Sequence, residues 1–228
     1  MRYLLKEYGS WSVMILSFLI GILISGTFNL SSFLSLLSVS MFINSKQAFT
    51  IWIRQKEPNA VYIFLGQVII GSLFTILAFS SETLRLIPFA IIPLSYVASL
   101  YLLGEHAVLT ELLGFATLTM AAPLARFSVS GLIDIPLYVA TAIFFMAGVL
   151  KVRIQLRKRL TDRFIMISYI VISIIVYSLI KIPVILLLPL MDNLIFALTL
   201  YRVRLATTGW IEVAKSVTFV VLSIFFYQ

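Results

Sequence analysis

Apolar residues run along this chain in nine long stretches, separated by short polar breaks: Trp11–Gly26, Leu30–Arg54, Ala60–Ser80, Leu86–Leu103, Ala107–Leu124, Asp134–Leu150, Phe164–Ile180, Ile182–Tyr201 and Thr208–Tyr227. Most come close to the ~20 residues that carry a helix across ~30 Å of hydrocarbon at ~1.5 Å per residue. The pattern predicts an all-α, polytopic transmembrane helical bundle of about nine spans, forming a single transmembrane helical domain over residues 1–228. Trp11–Gly26 and Asp134–Leu150 are short, so they borrow flanking residues or sit in a locally thinned bilayer. Lys6 and Glu7 precede the first stretch and no small-residue cleavage site follows it, which predicts a retained helix rather than a signal peptide.

Composition sharpens the class. Of 228 residues, 61% are hydrophobic and only 11% charged, against roughly 25% charged in soluble domains. Nothing is left over for a water-soluble domain, and the expected location is integral to a membrane. The absence of cysteine excludes disulfides, thiolate nucleophiles and Cys-ligated metals.

Charge then orients the chain. With the N-terminus inside, Arg2, Lys6, Lys46, Arg54, Lys56, Lys151, Arg153, Arg157, Lys158, Arg159, Arg163, Arg202, Arg204 and Lys215 fall on the cytoplasmic side; only Arg85, Arg126 and Lys181 fall outside. Such a bias predicts N-in, C-out. Fusing the segments around Lys181 would move Arg202, Arg204 and Lys215 outside, so nine spans fit better than eight. The net charge of +8 is on this reading mostly a topology signal with some attraction to anionic headgroups. Nucleic acid is not an expected partner, because no separate domain presents the basic residues.

One histidine and nine acids give no recognisable zinc, haem or di-iron site, and neither a metal nor a cofactor is expected. Three features stand out. Glu105, His106 and Glu111 could form an acid/base group at a cytoplasmic turn, or simply a solvated helix start. Asp192, beside Asn193 and after Pro183 and Pro189, lies deep in the eighth stretch, where a carboxylate is costly and commonly partnered or functional; the alternative is a protonated Asp192 bonded to Asn193. Asn44, Gln47, Ile51 and Arg54, with Lys46 and Thr50, make stripes converging at Arg54. An inward-facing Lys46 to Arg54 row would suit a phosphate or carboxylate, while snorkelling to the interface is the simpler account. After the sixth span the helix is expected to continue through the basic residues following Lys151, with Thr161 or Asp162 capping the next one.

The opening Leu5-Lys6-Glu7-Tyr8-Gly9-Ser10-Trp11 resembles the Lys-[Glu/Gln]-His-Gly-x-Trp start of YwiC-like membrane proteins, with Tyr8 in place of the usual His. Glu105-His106-Ala107-Val108-Leu109-Thr110-Glu111-Leu112, Lys151-Val152-Arg153-Ile154-Gln155-Leu156-Arg157 and Thr208-Gly209-Trp210-Ile211-Glu212 are also similar to that family. The resemblance implies that the membrane is a prokaryotic cell membrane. The family is distantly similar to the UbiA prenyltransferases, which implies nine helices around a lateral, lipid-facing cavity. UbiA-type chemistry uses two Asp-rich motifs to hold Mg²⁺ on a diphosphate. The corresponding regions here read Asn44-Ser45-Lys46-Gln47-Ala48 and Lys151 to Arg157, without an Asp, so metal-dependent prenyl transfer is not expected.

The resemblance therefore implies a cytoplasm-facing cavity that binds an anionic lipid or isoprenoid through Lys6, Asn44, Lys46, Gln47, Arg54, Glu111, Lys151, Arg153, Arg157, Glu212 and Lys215, basic groups taking the place of metals. The alternatives are an accessory subunit of a larger membrane complex, a divergent transferase or a small transporter. Orientation is directly testable: single cysteines introduced at Arg2 and Gln228 should label from opposite faces, and one at Arg157 from the cytoplasm. Labelling of both termini from one face would refute nine spans.

Overall fold

The computed structural model describes residues 2–201 and 203–227, which leaves Arg202, counted in the orientation argument, outside them. The described residues form ten α-helices and two 3-10 stretches. Six helices are long and apolar enough to cross a membrane: Tyr8–Ser25, Pro58–Leu103, Val108–Ser130, Ile135–Arg157, Leu160–Leu179 and Leu205–Phe226. Their outer faces carry rows of exposed aliphatic side chains, such as Ile69, Leu73, Ile76 and Leu77 on one helix and Val171, Ile172 and Ile175 on another. Patches of this kind call for lipid rather than water, and the chain is an all-helical integral membrane protein.

The chain divides into two compact units, Met1–Ile133 and Asp134–Gln228. The first comprises α1 (Tyr8–Ser25), α2 (Leu30–Gln55), α3 (Pro58–Phe79), a 3-10 stretch Ser80–Ala90, α4 (Ile91–Leu103), α5 (Val108–Thr119) and α6 (Ala121–Ser130). The second comprises α7 (Ile135–Arg157), α8 (Leu160–Leu179), a 3-10 stretch Val184–Leu190, α9 (Met191–Thr199) and α10 (Leu205–Phe226).

Three predicted continuous stretches are interrupted, each near a proline. Pro88 lies within the first 3-10 stretch, Pro189 within the second, and Pro123 is the third residue of α6. A proline ring clashes with the carbonyl four residues earlier and donates no hydrogen bond. For Pro123 that carbonyl belongs to Thr119, the last residue of α5, which places the break. The fifth stretch also runs past its predicted end at Leu124, because α6 continues to Ser130 until Gly131 stops it in the left-handed region at φ 66°. After the sixth stretch the helix does continue, to Arg157, and Lys158 ends it at φ 52°. The next helix begins after Arg159. Thr161 and Asp162 therefore lie inside the first turn of α8 and do not cap it.

In the first unit, α2 is held to α6 by a short polar knot. The Asn29 side chain accepts from the Ser32 N–H at 2.8 Å and donates to the Ser128 carbonyl at 3.1 Å, while the Ser32 and Ser128 hydroxyls meet at 2.8 Å. Ser38 reaches α3, with its hydroxyl 2.9 Å from the Gly71 carbonyl and 2.6 Å from the Thr75 hydroxyl. Helices α1 and α6 approach through small residues, with Gly21 facing Ala122 and Ala125, both fully buried. This is the small-residue packing that lets membrane helices come together without a hydrophobic drive.

In the second unit, aromatic rings tie α10 to α7. Phe144 stacks on Phe219 with centroids 4.1 Å apart, and Phe145 meets Phe219 edge-on at 6.4 Å. Tyr169 and Tyr177 of α8 donate to the carbonyls of Ile143 and Ala140 at 2.7 and 2.9 Å. Arg163 at the start of α8 donates to the carbonyls of Ala197 and Leu198 at 2.5 and 2.7 Å. That guanidinium satisfies orphan acceptors at the C-terminal end of α9 and complements its dipole.

Two glycines give opposite expectations. A Cβ at Gly21 would sit 2.2 Å from the Ala122 carbonyl oxygen, whereas one at Gly66 meets nothing within 4 Å. Alanine in an open helix interior gains up to about 1 kcal/mol over glycine. Gly66→Ala should therefore leave thermal stability in nanodiscs unchanged or raised, and Gly21→Ala should lower it as α1 and α6 are forced apart. Equal effects of the two would contradict this packing.

Candidate functional site

Four charged side chains from three helices of the second unit converge. Lys151 of α7 donates to Asp192 of α9, and its ammonium nitrogen also lies 3.1 Å from Glu212 Oε1 of α10. Lys215, one turn beyond Glu212, donates to the same Oε1 at 2.7 Å and lies 3.5 Å from Asp192 Oδ2. The ring alternates in sign and its formal charges cancel. Tyr201 donates to the second Asp192 oxygen at 2.8 Å. Asn193 accepts from Lys215 and donates to the Ala147 carbonyl at 3.2 Å. Phe196 offers its ring 5.7 Å from the Lys151 nitrogen, within reach of a cation–π contact.

The burial is asymmetric. Side-chain exposure is 1% for Lys151 and 8% for Lys215, against 30% for Asp192 and 26% for Glu212. The ammonium groups are sealed inside while the carboxylates reach toward the exterior. Gly148 makes room for this on α7, since a Cβ there would stand 3.3 Å from Glu212 Oε2. Nearby, Gln155 bonds the Val203 carbonyl at 2.8 Å and accepts from Thr208 at 2.9 Å, fastening the start of α10 to α7.

The structure thus joins residues that the sequence presents separately. Asp192 and Asn193, conspicuous as intramembrane polar groups, belong with Lys151, Glu212 and Lys215, which the family resemblance supplies. Asp192 bonds Lys151 and Tyr201 rather than Asn193, so the alternative of a protonated Asp192 paired with its neighbour does not describe this site. Lys151 and Lys215 lie within α7 and α10 rather than at their last turns, and both are buried. Arg153 is buried and Arg157, at the end of α7, is exposed. Tyr201 escapes sequence reasoning because a terminal tyrosine reads as an interface residue.

The remaining predicted residues lie in the first unit. Lys46 donates to both Glu7 oxygens at 2.8 and 2.6 Å. Asn44 accepts from the Leu5 N–H at 3.2 Å. Arg54 pairs with Glu105, the residue next to His106. Glu111 lies in the first turn of α5, Gln47 is half-buried on α2 and Lys6 is exposed. Around them the N-terminal segment is tied down. Arg2 pairs with Glu57 at 3.2 Å and donates to Gln55, Tyr3 donates to Glu57 at 2.6 Å, and Trp11 donates to the Leu5 carbonyl at 3.1 Å. Partial burial would raise the Glu7 carboxyl, but the hydrogen bond and charge of Lys46 outweigh it and hold the group below the ordinary carboxylate range.

Removing one member of the ring should be costly, because it strands an uncompensated buried ammonium. Asp192→Asn is expected to destabilise the protein by about 3 kcal/mol or more, read as the unfolding midpoint in nanodiscs. Replacing the pair together, Lys151→Met with Asp192→Leu, should recover much of that loss. A single variant as stable as wild type would show that the ring carries no such coupling.

Among known proteins, the family described as YwiC-like protein matches residues 4–126. No curated protein and no solved structure matches the chain. The matched span takes in the N-terminal motif, the Lys46 to Arg54 stripe and Glu105 to Glu111, while the charged ring lies beyond it. With more than half of its 228 residues covered, the chain belongs to the YwiC-like family.

Proposed function

We propose that this protein binds an amphipathic anionic lipid or isoprenoid, with its headgroup oxygen taken by Lys151 and Lys215 in the second unit. The observation that carries the reading is the shared acceptor: both ammonium nitrogens lie within 3.1 Å of one carboxylate oxygen, Glu212 Oε1. A pair of donors fixed on a single anionic oxygen is the geometry that also suits a phosphate or carboxylate. Arg153, buried, and Arg157, exposed, follow Lys151 on the same helix and carry guanidinium groups of the kind that grip a phosphate through bidentate forks. The other candidates, Lys6, Asn44, Lys46, Gln47, Arg54 and Glu111, belong to the first unit, where Lys46 and Arg54 are matched by Glu7 and Glu105.

The wider frame is a nine-span protein with a cytoplasmic N-terminus. Helical segments occupy all nine apolar stretches, although six helices meet the length and apolarity of a full span. All three tryptophans also lie at helix ends on the side assigned to the cytoplasm, Trp11 at the start of α1, Trp52 at the end of α2 and Trp210 at the start of α10. Amphipathic rings of this kind anchor at the interface. A UbiA-like arrangement rests on the family resemblance alone, and the Asp-free motif positions favour binding over metal-dependent transfer.

Retained lipid is the direct readout. Wild-type protein gently extracted and analysed by native mass spectrometry should keep anionic lipid in preference to phosphatidylcholine. Arg153→Gln with Arg157→Gln should lower that occupancy about tenfold or more, one or two charge-assisted hydrogen bonds having been lost. The matching Lys variants should restore only part of it where a guanidinium fork is needed. Unchanged lipid in the double Gln variant, at matched thermal stability, would remove these arginines from the site.

A further inference from the structure

The ring contains its own stand-in for the ligand. We infer that Glu212 is an internal latch, a carboxylate that fills the anion position between Lys151 and Lys215 and must swing out before an external anion can enter. The inference rests on the proposed anion binding and adds how that site is regulated.

Three observations carry it. First, Glu212 Oε1 is the point where both ammonium groups meet, at 3.1 Å from Lys151 and 2.7 Å from Lys215. Secondly, the lysines keep other partners when Glu212 leaves: Lys151 retains Asp192, and Lys215 retains Asn193 with Asp192 at 3.5 Å. Asp192 is doubly held, by Lys151 and by the Tyr201 hydroxyl, so it is the fixed carboxylate. Thirdly, among the described residues of the ring Glu212 has no second holder of the kind Tyr201 gives Asp192, its side chain is 26% exposed, and Oε2 lies against Gly148, where no side chain stands in its way. The two lysines and Asp192 then carry one net positive charge, which a single anionic headgroup cancels.

Charge balance explains why a latch is needed. An empty pair of buried ammonium groups with only Asp192 beside them would leave an uncompensated cation among apolar helices, which is strongly unfavourable. Glu212 therefore stabilises the unliganded state and competes with the ligand for the same two donors. The competition sets a threshold: an amphiphile binds only when its anionic group displaces the carboxylate.

The test is full-length protein in phosphatidylcholine nanodiscs with phosphatidylglycerol as the anionic probe, its occupancy measured by native mass spectrometry. Glu212→Gln removes the competing charge and should raise occupancy about tenfold or more, the gain expected from freeing a charge-assisted contact. Adding Lys215→Gln to that variant should abolish the gain. If Glu212→Gln does not yield folded protein, Glu212→Asp, which keeps the charge but withdraws it by one methylene, is read instead and should raise occupancy to a smaller degree. Selective wild-type binding with no rise in either variant would overturn the latch while leaving anion binding intact. Absence of selective binding in wild type and both variants would overturn both. Selective binding in the variants alone would mean a latch that stays closed to phosphatidylglycerol, and supports the inference.

Discussion

Two lysines buried among apolar helices set the terms for the second half of this molecule. An ammonium group cannot remain charged in hydrocarbon without a partner, so the helices that bring Lys151 and Lys215 inside must also bring Asp192 and Glu212. The ring joins α7, α9 and α10, and the surrounding contacts repeat the same linkages: Phe144 on Phe219, Asn193 on the Ala147 carbonyl, Gln155 on Thr208. A buried ion cluster is poor evidence for stability, since well-packed apolar residues often do as well. What it constrains is register. Sliding any one of the three helices by a turn would pull Lys151 and Lys215 away from Asp192 and Glu212.

The first unit solves its packing by other means. Serine hydroxyls and close glycine contacts link α1, α2, α3 and α6, and the N-terminal segment pairs its charges with Lys46 and Glu57 near the end of α2 and the start of α3. This division matches the family relationship, which covers the first unit and stops short of the ring.

The apolar pattern located the helices well because hydrocarbon demands long uninterrupted stretches, and all nine stretches contain helix. It missed the breaks at Met120 and within the two 3-10 stretches, since hydropathy is blind to the steric clash that Pro88, Pro123 and Pro189 impose. Asp192 was legible as unusual for its depth alone. Its partners were not, because Lys151 lies 41 residues away in sequence and looks like one more basic residue at a span end. Counting charge by loop reads such a lysine as topology and says nothing of its burial, which depends on how α7, α9 and α10 pack. The spacing of the Lys46 to Arg54 stripe likewise did not show its acidic partners, which come from Glu7 and Glu105 on other segments.

The stitching of the N-terminal segment bears on how the protein is made. Leu5 bonds Asn44, Glu7 pairs with Lys46, and Arg2 and Tyr3 reach Glu57, partners 39 to 55 residues later in the chain. During synthesis the first residues leave the ribosome long before these partners exist. They can be fastened only when the start of α3 has followed. The tether therefore closes only once α1 and α2 stand antiparallel, with the end of α2 returned beside the start of α1.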